Sequence, residues 1–227
     1  MTLRKNIYTY FLSLTISLLL FPQAADAQRK KVVAEPDTVP FFRGVAVSAD
    51  LVGLGMVMLS DYGQYEGAVR VNLRDRYFPI VEVGIGKADH ENVVTKLKYT
   101  TSAPYAKIGI DFNLMKNKHD IYRLYGGVRY AYTSFKYDVE HPGVEVPYWG
   151  DVAEFGGKDI KANYHWVEAV FGVDAKIWGP IHLGWSARYK RRISHNNGTL
   201  GKPWYVPGFG KSGGSRLGGT FNVTLEF

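Results

Sequence analysis

The closing stretch Phe221 to Phe227, FNVTLEF, alternates apolar and polar residues without a break and stops on an aromatic ring. Chain ends usually fray, yet this one carries the most regular period-two pattern in the chain. A strand with one apolar and one polar face has to cover the apolar face with something. Whether that cover is a protein core or lipid decides the fold.

Working back from the end, the same period recurs seven more times. GVAVSADL places Val45, Val47, Ala49 and Leu51 on one face. YEGAVRVNLR does so with Val69, Val71 and Leu73, and PIVEVGIGK with Val81, Val83 and Ile85. AKIGIDFNL presents Ile108, Ile110, Phe112 and Leu114. IYRLYGGVRYAYT presents Tyr122, Leu124, Val128, Tyr130 and Tyr132. WVEAVFGVDAKI presents Val167, Ala169, Phe171, Val173, Ala175 and Ile177. IHLGWSARYK presents Ile181, Leu183, Trp185, Ala187 and Tyr189. With LGGTFNVTLEF these are eight strand candidates of roughly ten residues, the length a tilted strand needs to cross a bilayer.

The connections alternate in length. LRDRYF, MKNKHD and WGP are short, whereas 87–103, 138–160 and 194–215 are long. Short periplasmic turns and long outer loops are expected of an outer-membrane barrel with both chain ends in the periplasm. The first outer connection, Gly53 to Gly63, is consistent either with longer strands or with a short helical turn.

The other face of these strands is ionic. Asp50, Glu66, Glu82, Asp111, Glu168, Asp174 and Glu226 stand against Arg70, Arg74, Lys107, Arg123, Arg129, Lys176, Arg188 and Lys190. The interior of an eight-stranded barrel is just wide enough for side chains to fill it, so a lumen plugged by crossed ion pairs is expected, since unpaired buried charges are costly. The alternative is a soluble sandwich whose solvated sheet face carries these charges. Aromatic rings support lipid: Tyr77, Phe78, Tyr122, Trp178 and Phe227 fall near the periplasmic ends, and Tyr65, Tyr99, Tyr105, Tyr132, Tyr164, Trp166 and Tyr189 near the outer ends, as two interfacial belts would.

At the N-terminus, Arg4 and Lys5 precede an apolar run from Tyr10 to Phe21 and the small-x-small site Ala25-Asp26-Ala27. This reads as a secretory signal peptide, residues 1–27, cleaved near Ala27; the run is too short for a membrane anchor. Residues 28–41 form a polar periplasmic segment and 42–227 the barrel. There is no cysteine, which excludes a disulfide scaffold and an N-terminal lipoprotein. The net charge of +7 is interleaved with acids instead of gathered in a stripe, so nucleic acid is not an expected partner; outer-membrane lipid and lipopolysaccharide are.

Phe221, Val223, Leu225 and Phe227 resemble the terminal assembly signal of outer-membrane β-barrels, which implies recognition by the barrel-assembly machinery. The stretch Ser60 to Asp89, SDYGQYEGAVRVNLRDRYFPIVEVGIGKAD, resembles a family of small outer-membrane barrels of Bacteroidetes-type bacteria without an assigned activity. That resemblance implies location and architecture, and no catalytic residues.

Candidate chemistry is sparse. His182 and Ser186 share a face with Asp174 and Glu168 on a neighbouring strand, but residues four apart on a strand lie about 13 Å apart, beyond nucleophile–base contact, and there is no G-x-S-x-G elbow. His90, His119, His141, His165, His182 and His195 lack metal-ligand spacing. The acidic run Asp138, Glu140, Glu145, Asp151, Glu154 and Asp159 lacks the order of a calcium loop. GFGKSGGSR, Gly208 to Arg216, lacks phosphate-loop spacing and reads as a mobile outer loop. Asp37-Thr38-Val39 resembles a short O-glycosylation site, with an unmodified linker as the simpler reading. The expectation is an all-β, eight-stranded antiparallel up-and-down transmembrane barrel in the outer membrane. It is expected to be monomeric, to need no cofactor or metal, and to be structural or interactive; the alternatives are a narrow solute channel and, further off, a lipid-modifying enzyme.

Overall fold

The computed structural model describes residues 40–145, 152–153 and 155–227. The signal peptide, its cleavage site and Asp37-Thr38-Val39 lie outside the described residues. The chain forms β1 (Phe42–Asp50), α1 (Leu51–Leu59), β2 (Tyr62–Leu73), β3 (Tyr77–Glu91), β4 (Lys98–Asn113), β5 (Tyr122–Glu140), β6 (Gly156–Trp178), β7 (Ile181–Asn196) and β8 (Ser215–Glu226). Two short hairpins, Val144–Glu145 with Val152–Ala153 and Tyr205–Val206 with Gly210–Lys211, stand apart from the main sheet.

Each long strand pairs antiparallel with its neighbours in sequence, and β8 returns to β1, so the sheet closes. FNVTLEF makes the seam: Ala46 faces Glu226 and Asp50 faces Asn222, with Val45 and Phe227 exchanging backbone hydrogen bonds of 3.0 and 2.9 Å. Gly44, at φ +153°, permits this closure, because a Cβ there would sit 2.0 Å from the Phe227 carbonyl oxygen. Closure leaves no sheet edge along the paired length, which hydrocarbon would penalise at every unpaired N–H and C=O.

Burial follows the same period. Along the middle of β6, buried and exposed residues alternate one for one, and the exposed set, Val167, Phe171 and Val173, is apolar while the buried set includes Glu168 and Asp174. Val47, Val69, Val81, Val83, Ile108, Val128, Trp185 and Leu225 continue the apolar exterior around the wall. A water-soluble barrel has the reverse polarity; this one is a transmembrane β-barrel turned toward lipid. Among the described residues no helix is long and apolar enough to cross a membrane.

Two expectations change and one open reading is resolved. Seven of the eight wall strands exceed ten residues, β6 reaching 23, so the connection expected at 87–103 shrinks to 92–97: toward that end the alternation continues with its polarity reversed, Tyr99, Phe135, Tyr137, Ile160 and Tyr164 turning inward while Asp89, Lys136 and Lys161 stand outside. Phe78, Tyr99, Tyr105, Tyr164 and Trp166 are buried in the interior and do not belong to the aromatic belts, whereas Tyr77, Tyr122, Trp178, Phe227, Tyr65, Tyr132 and Tyr189 do face outward. Distance along the strand placed these rings near the ends, but strand parity sends them inward. Finally, the first outer connection is the helix α1, whose N-terminus is capped by Asp50 accepting from Val52 and Gly53 N–H at 3.0 and 3.1 Å.

Candidate functional site

The site with the densest chemistry is the lumen. Its inward positions come from alternate residues of every strand, so a carboxylate on one wall meets cations from the opposite wall. Glu82 accepts from Arg188 Nη1 at 2.7 Å and Arg129 Nε at 3.0 Å, with Lys107 Nζ at 3.3 Å. Glu66 accepts from Lys107 Nζ and the Tyr105 hydroxyl, both at 2.7 Å, and from Arg188 Nη1 at 3.0 Å. Asp111 holds Arg129 through both oxygens at 2.6 and 2.9 Å, the bidentate geometry that favours Arg over Lys. Glu168 accepts from Trp166 Nε1 at 2.7 Å and lies 3.5 Å from Lys107 and 3.9 Å from Lys190.

Toward the end that carries Phe227 a second layer follows. Arg70 donates to Asp174 at 2.6 Å. Arg123 forks onto Glu226 at 2.6 and 2.9 Å, and both guanidinium groups lie 5.3 Å from the Phe78 ring centroid. His182 stands between the two carboxylates, 3.3 Å from Asp174 and 3.4 Å from Glu226. A residual cavity of about 30 Å³ remains among these groups, room for about one water.

Not every expected member joins. Arg74 is exposed in the β2–β3 turn, over the Phe41 ring, and Lys176 is exposed at the foot of β6; both stand where the strand leaves the wall, so parity no longer points them inward. Asp50 is buried but ion-paired with no cation among the described residues. Besides capping α1, it accepts from Phe221 N–H at 3.2 Å. Conversely, Tyr105, Trp166 and His182 belong to the lumen as hydrogen-bond or ionic partners. Their inward parity was readable in the sequence, but their partners, far away along the chain, were not.

Both ends of the lumen are closed, one by polar contacts and the other by a cluster of buried apolar and aromatic side chains. At the end that carries the β2–β3 turn Asp75 accepts from Asn72 Nδ2 at 2.7 Å and meets His119 Nδ1 at 2.7 Å and Arg43 Nε at 3.4 Å, while Asn113 Nδ2 donates to its carbonyl at 2.9 Å. Burial pushes the Asp75 carboxyl up, but the hydrogen bonds from His119 and Asn72 and the Arg43 charge outweigh it and hold the group below the usual aspartate range. At the opposite end Gly208 and Phe209, the first residues of the stretch expected to be a mobile loop, fold into the mouth together with Tyr205 and Val206 just before it, while Lys211, Gly214 and Ser215 stay exposed. Tyr205, Val206 and Phe209 are fully buried, Phe209 meets Trp166 edge-on, Tyr99 Oη donates to the Tyr205 carbonyl at 2.6 Å, and Lys190 Nζ to the Gly208 carbonyl at 2.6 Å. Gly208, at φ +78°, passes so close to the Tyr105 ring that a Cβ would lie 2.6 Å from it. The apolar pair Val206 and Phe209 within a Gly-rich run was the available signal for an inward-folded lid.

The dispersed candidates do not converge. Ser186 Oγ pairs with Thr220 Oγ1 at 2.7 Å and accepts from Arg188, whereas His182 turns to the carboxylates. His90 meets Asp61 at 2.8 Å and stacks on Trp204; His165 bonds Tyr130, His141 accepts from Gly143 N–H, and the His195 ring lies against Tyr164. Lys136 pairs with Asp159 and Lys158 with Glu140, while Asp159 N–H donates to Asp138. The Glu145 side chain, Asp151 and Glu154 lie outside the described residues. Among the described residues no cluster of three or more metal-ligating groups occurs.

A family model described as a domain of unknown function (DUF6048) matches residues 7–227. No curated protein matches the sequence. Among solved structures the chain is similar to Ail, the attachment invasion locus protein of Yersinia pestis, crystallised with the heparin analogue sucrose octasulfate. The identity is 10% and the TM-score 0.37, over 81% of this chain and 94% of that one.

Proposed function

The chain belongs to the DUF6048 family, and from that membership and the ion-filled, apolar-clad barrel we propose a small outer-membrane protein with a plugged lumen. It serves a structural role or displays its outer surface to a partner, and it is neither a channel nor an enzyme. The observation that carries this reading is the lumen. Glu82 is surrounded by three cations within 3.3 Å and the remaining cavity is about 30 Å³, with the Tyr205–Phe209 lid above. A conducting path needs continuous polar space, and moving an ion through this one means breaking several buried pairs at once. The pairing of β8 with β1, which returns the sheet on itself, supports a monomer whose partners are the surrounding lipid and lipopolysaccharide. Phe221, Val223, Leu225 and Phe227 support targeting by the assembly machinery after export through the N-terminal signal.

The test is a planar-bilayer recording of the purified mature chain. No steady current above the bare bilayer is expected. Reproducible unitary steps would overturn the plug and favour the narrow solute channel.

A further inference from the structure

The wall of the barrel is incomplete at one place. β1 ends at Asp50, opposite Asn222, whereas β8 continues outward to Ser215 and β2 to Tyr62. Above Asp50 no strand lies between β8 and β2, and α1 fills the interval. The helix fits closely against β2: a Cβ on Gly53 would lie 2.5 Å from the Gln64 carbonyl oxygen, and one on Gly63 2.4 Å from the Val57 nitrogen. Against β8 the fit is open. A Cβ on Gly218 would meet nothing closer than Lys190 Cε at 3.8 Å, and one on Gly219 nothing closer than the Ser186 carbonyl at 3.6 Å.

This opening exposes backbone. Phe227 bonds to β1 through both its N–H and C=O, and Phe221, six residues earlier and of the same parity, sends its N–H to Asp50 on the same side. In an antiparallel ladder alternate residues face the same neighbour, so the N–H and C=O groups of Leu217 and Gly219 point into the opening, and no group among the described residues bonds them there. Leu217 is paired with Tyr189, and both are exposed, which sets the opening at the outer aromatic level of the apolar belt, where headgroups begin.

The cavity behind the opening is about 250 Å³ and is lined on its polar side by Lys190, Lys211 and Arg216. Among the described residues that line it the one carboxylate is Asp50, whose oxygens are already taken by the N–H groups of Val52, Gly53 and Phe221. Lys211 rests over the Tyr62 and Trp204 rings, and Arg216 donates to the Lys211 and Ser212 carbonyls; neither pairs with a carboxylate among the described residues. Val52, Met56 and Leu217 form the apolar lip. The site therefore offers excess positive charge and free N–H donors inside, with hydrocarbon surface at its mouth.

We propose that this gap between α1 and β8 is a lateral binding site for an anionic, phosphate-bearing lipid of the outward-facing leaflet. The cavity is smaller than the pockets that enclose whole ligands, so it takes the headgroup while the acyl chains stay along α1 in the bilayer. Phosphate oxygens accept from the Leu217 and Gly219 N–H groups and face Lys190 and Arg216, satisfying donors that hydrocarbon would leave unpaired. This deepens the outer-membrane reading and rests on it.

The test uses the full mature chain in neutral detergent, offered phosphatidylglycerol or phosphatidylcholine with identical chains, with retained lipid counted by native mass spectrometry. Retention of one phosphatidylglycerol is expected, with the zwitterionic lipid held at least about fivefold less well per cation engaged. Gly218→Val, whose Cβ would meet nothing closer than Lys190 Cε at 3.8 Å, should abolish the preference while the barrel keeps its folded electrophoretic mobility. Arg216→Gln should weaken retention about fivefold. Equal retention of the two lipids, a preference unchanged in Gly218→Val, displacement of the lipid by inorganic phosphate at equal concentration, or a dimer in place of a lipid adduct would each overturn the proposal. The membrane reading fails separately, if the chain stays soluble without detergent and does not enter liposomes.

Discussion

Replacing Glu82 by Gln keeps the volume of a buried side chain and removes one charge from the centre of the lumen. Glu82 is 1% exposed and takes Arg188 at 2.7 Å, Arg129 at 3.0 Å and Lys107 at 3.3 Å. Removing one member of a buried ionic group costs about 3–5 kcal/mol, because its partners stay buried without compensation, whereas an exposed pair is worth about 0–1 kcal/mol. Here Asp111 still holds Arg129 and Glu66 still holds Lys107 and Arg188, so the lower part of that range, about 3 kcal/mol, is expected. Urea unfolding of the barrel in phospholipid vesicles measures it, with tryptophan emission and the heat-dependent gel shift as two probes of one transition. Arg188→Met in the same background should cost less than it does alone, by more than about 1 kcal/mol, since both changes touch one network. A loss below 1 kcal/mol for Glu82→Gln with additive double-variant behaviour would mean that water solvates these charges, and the plugged-lumen reasoning would fail.

Three further outcomes are expected. Val173→Arg, on the outward face of β6 between Leu124 and Trp185, should destabilise the inserted barrel by about 2–4 kcal/mol; a harmless substitution would mean that this face meets water. Deleting Phe227 removes its two backbone hydrogen bonds to Val45, about 1 kcal/mol each, and a ring that is mostly exposed. Refolding into detergent should survive that loss while the amount of barrel assembled in cells drops sharply; equal loss in both settings would make Phe227 a structural residue only. Asp75 titrates below its usual value in the folded chain, so its contribution is complete above the unfolded value near about 4 and is lost as pH falls through the folded one. The stabilities of the wild type and Asp75→Asn should therefore differ at neutral pH and converge below about pH 4, as followed by unfolding at a series of pH values; a constant gap would contradict the ion-pair account.

Local pattern determined much of this protein. Period-two alternation, with Val173 beside Asp174 and Val223 beside Thr224, was enough to locate all eight strands, their order and the polarity of the wall, because a strand's two faces are fixed by neighbouring residues alone. Only the tertiary structure decided what those residues meet. Glu82 and Arg188 stand 106 positions apart, and Arg70 and Asp174 104 apart; closing the sheet sets such pairs through stagger and register, which no local period encodes. Tyr105 and Trp166 turned inward where nearness to the strand ends suggested a belt, and the Gly-rich run after Trp204 became a lid because the mouth offered Tyr99, Trp166 and Lys190 to receive it. The gap beside Gly218 and Gly219 belongs to the same class. It exists because β1 stops at Asp50 while β2 and β8 continue, a mismatch of lengths visible only once the three strands stand side by side.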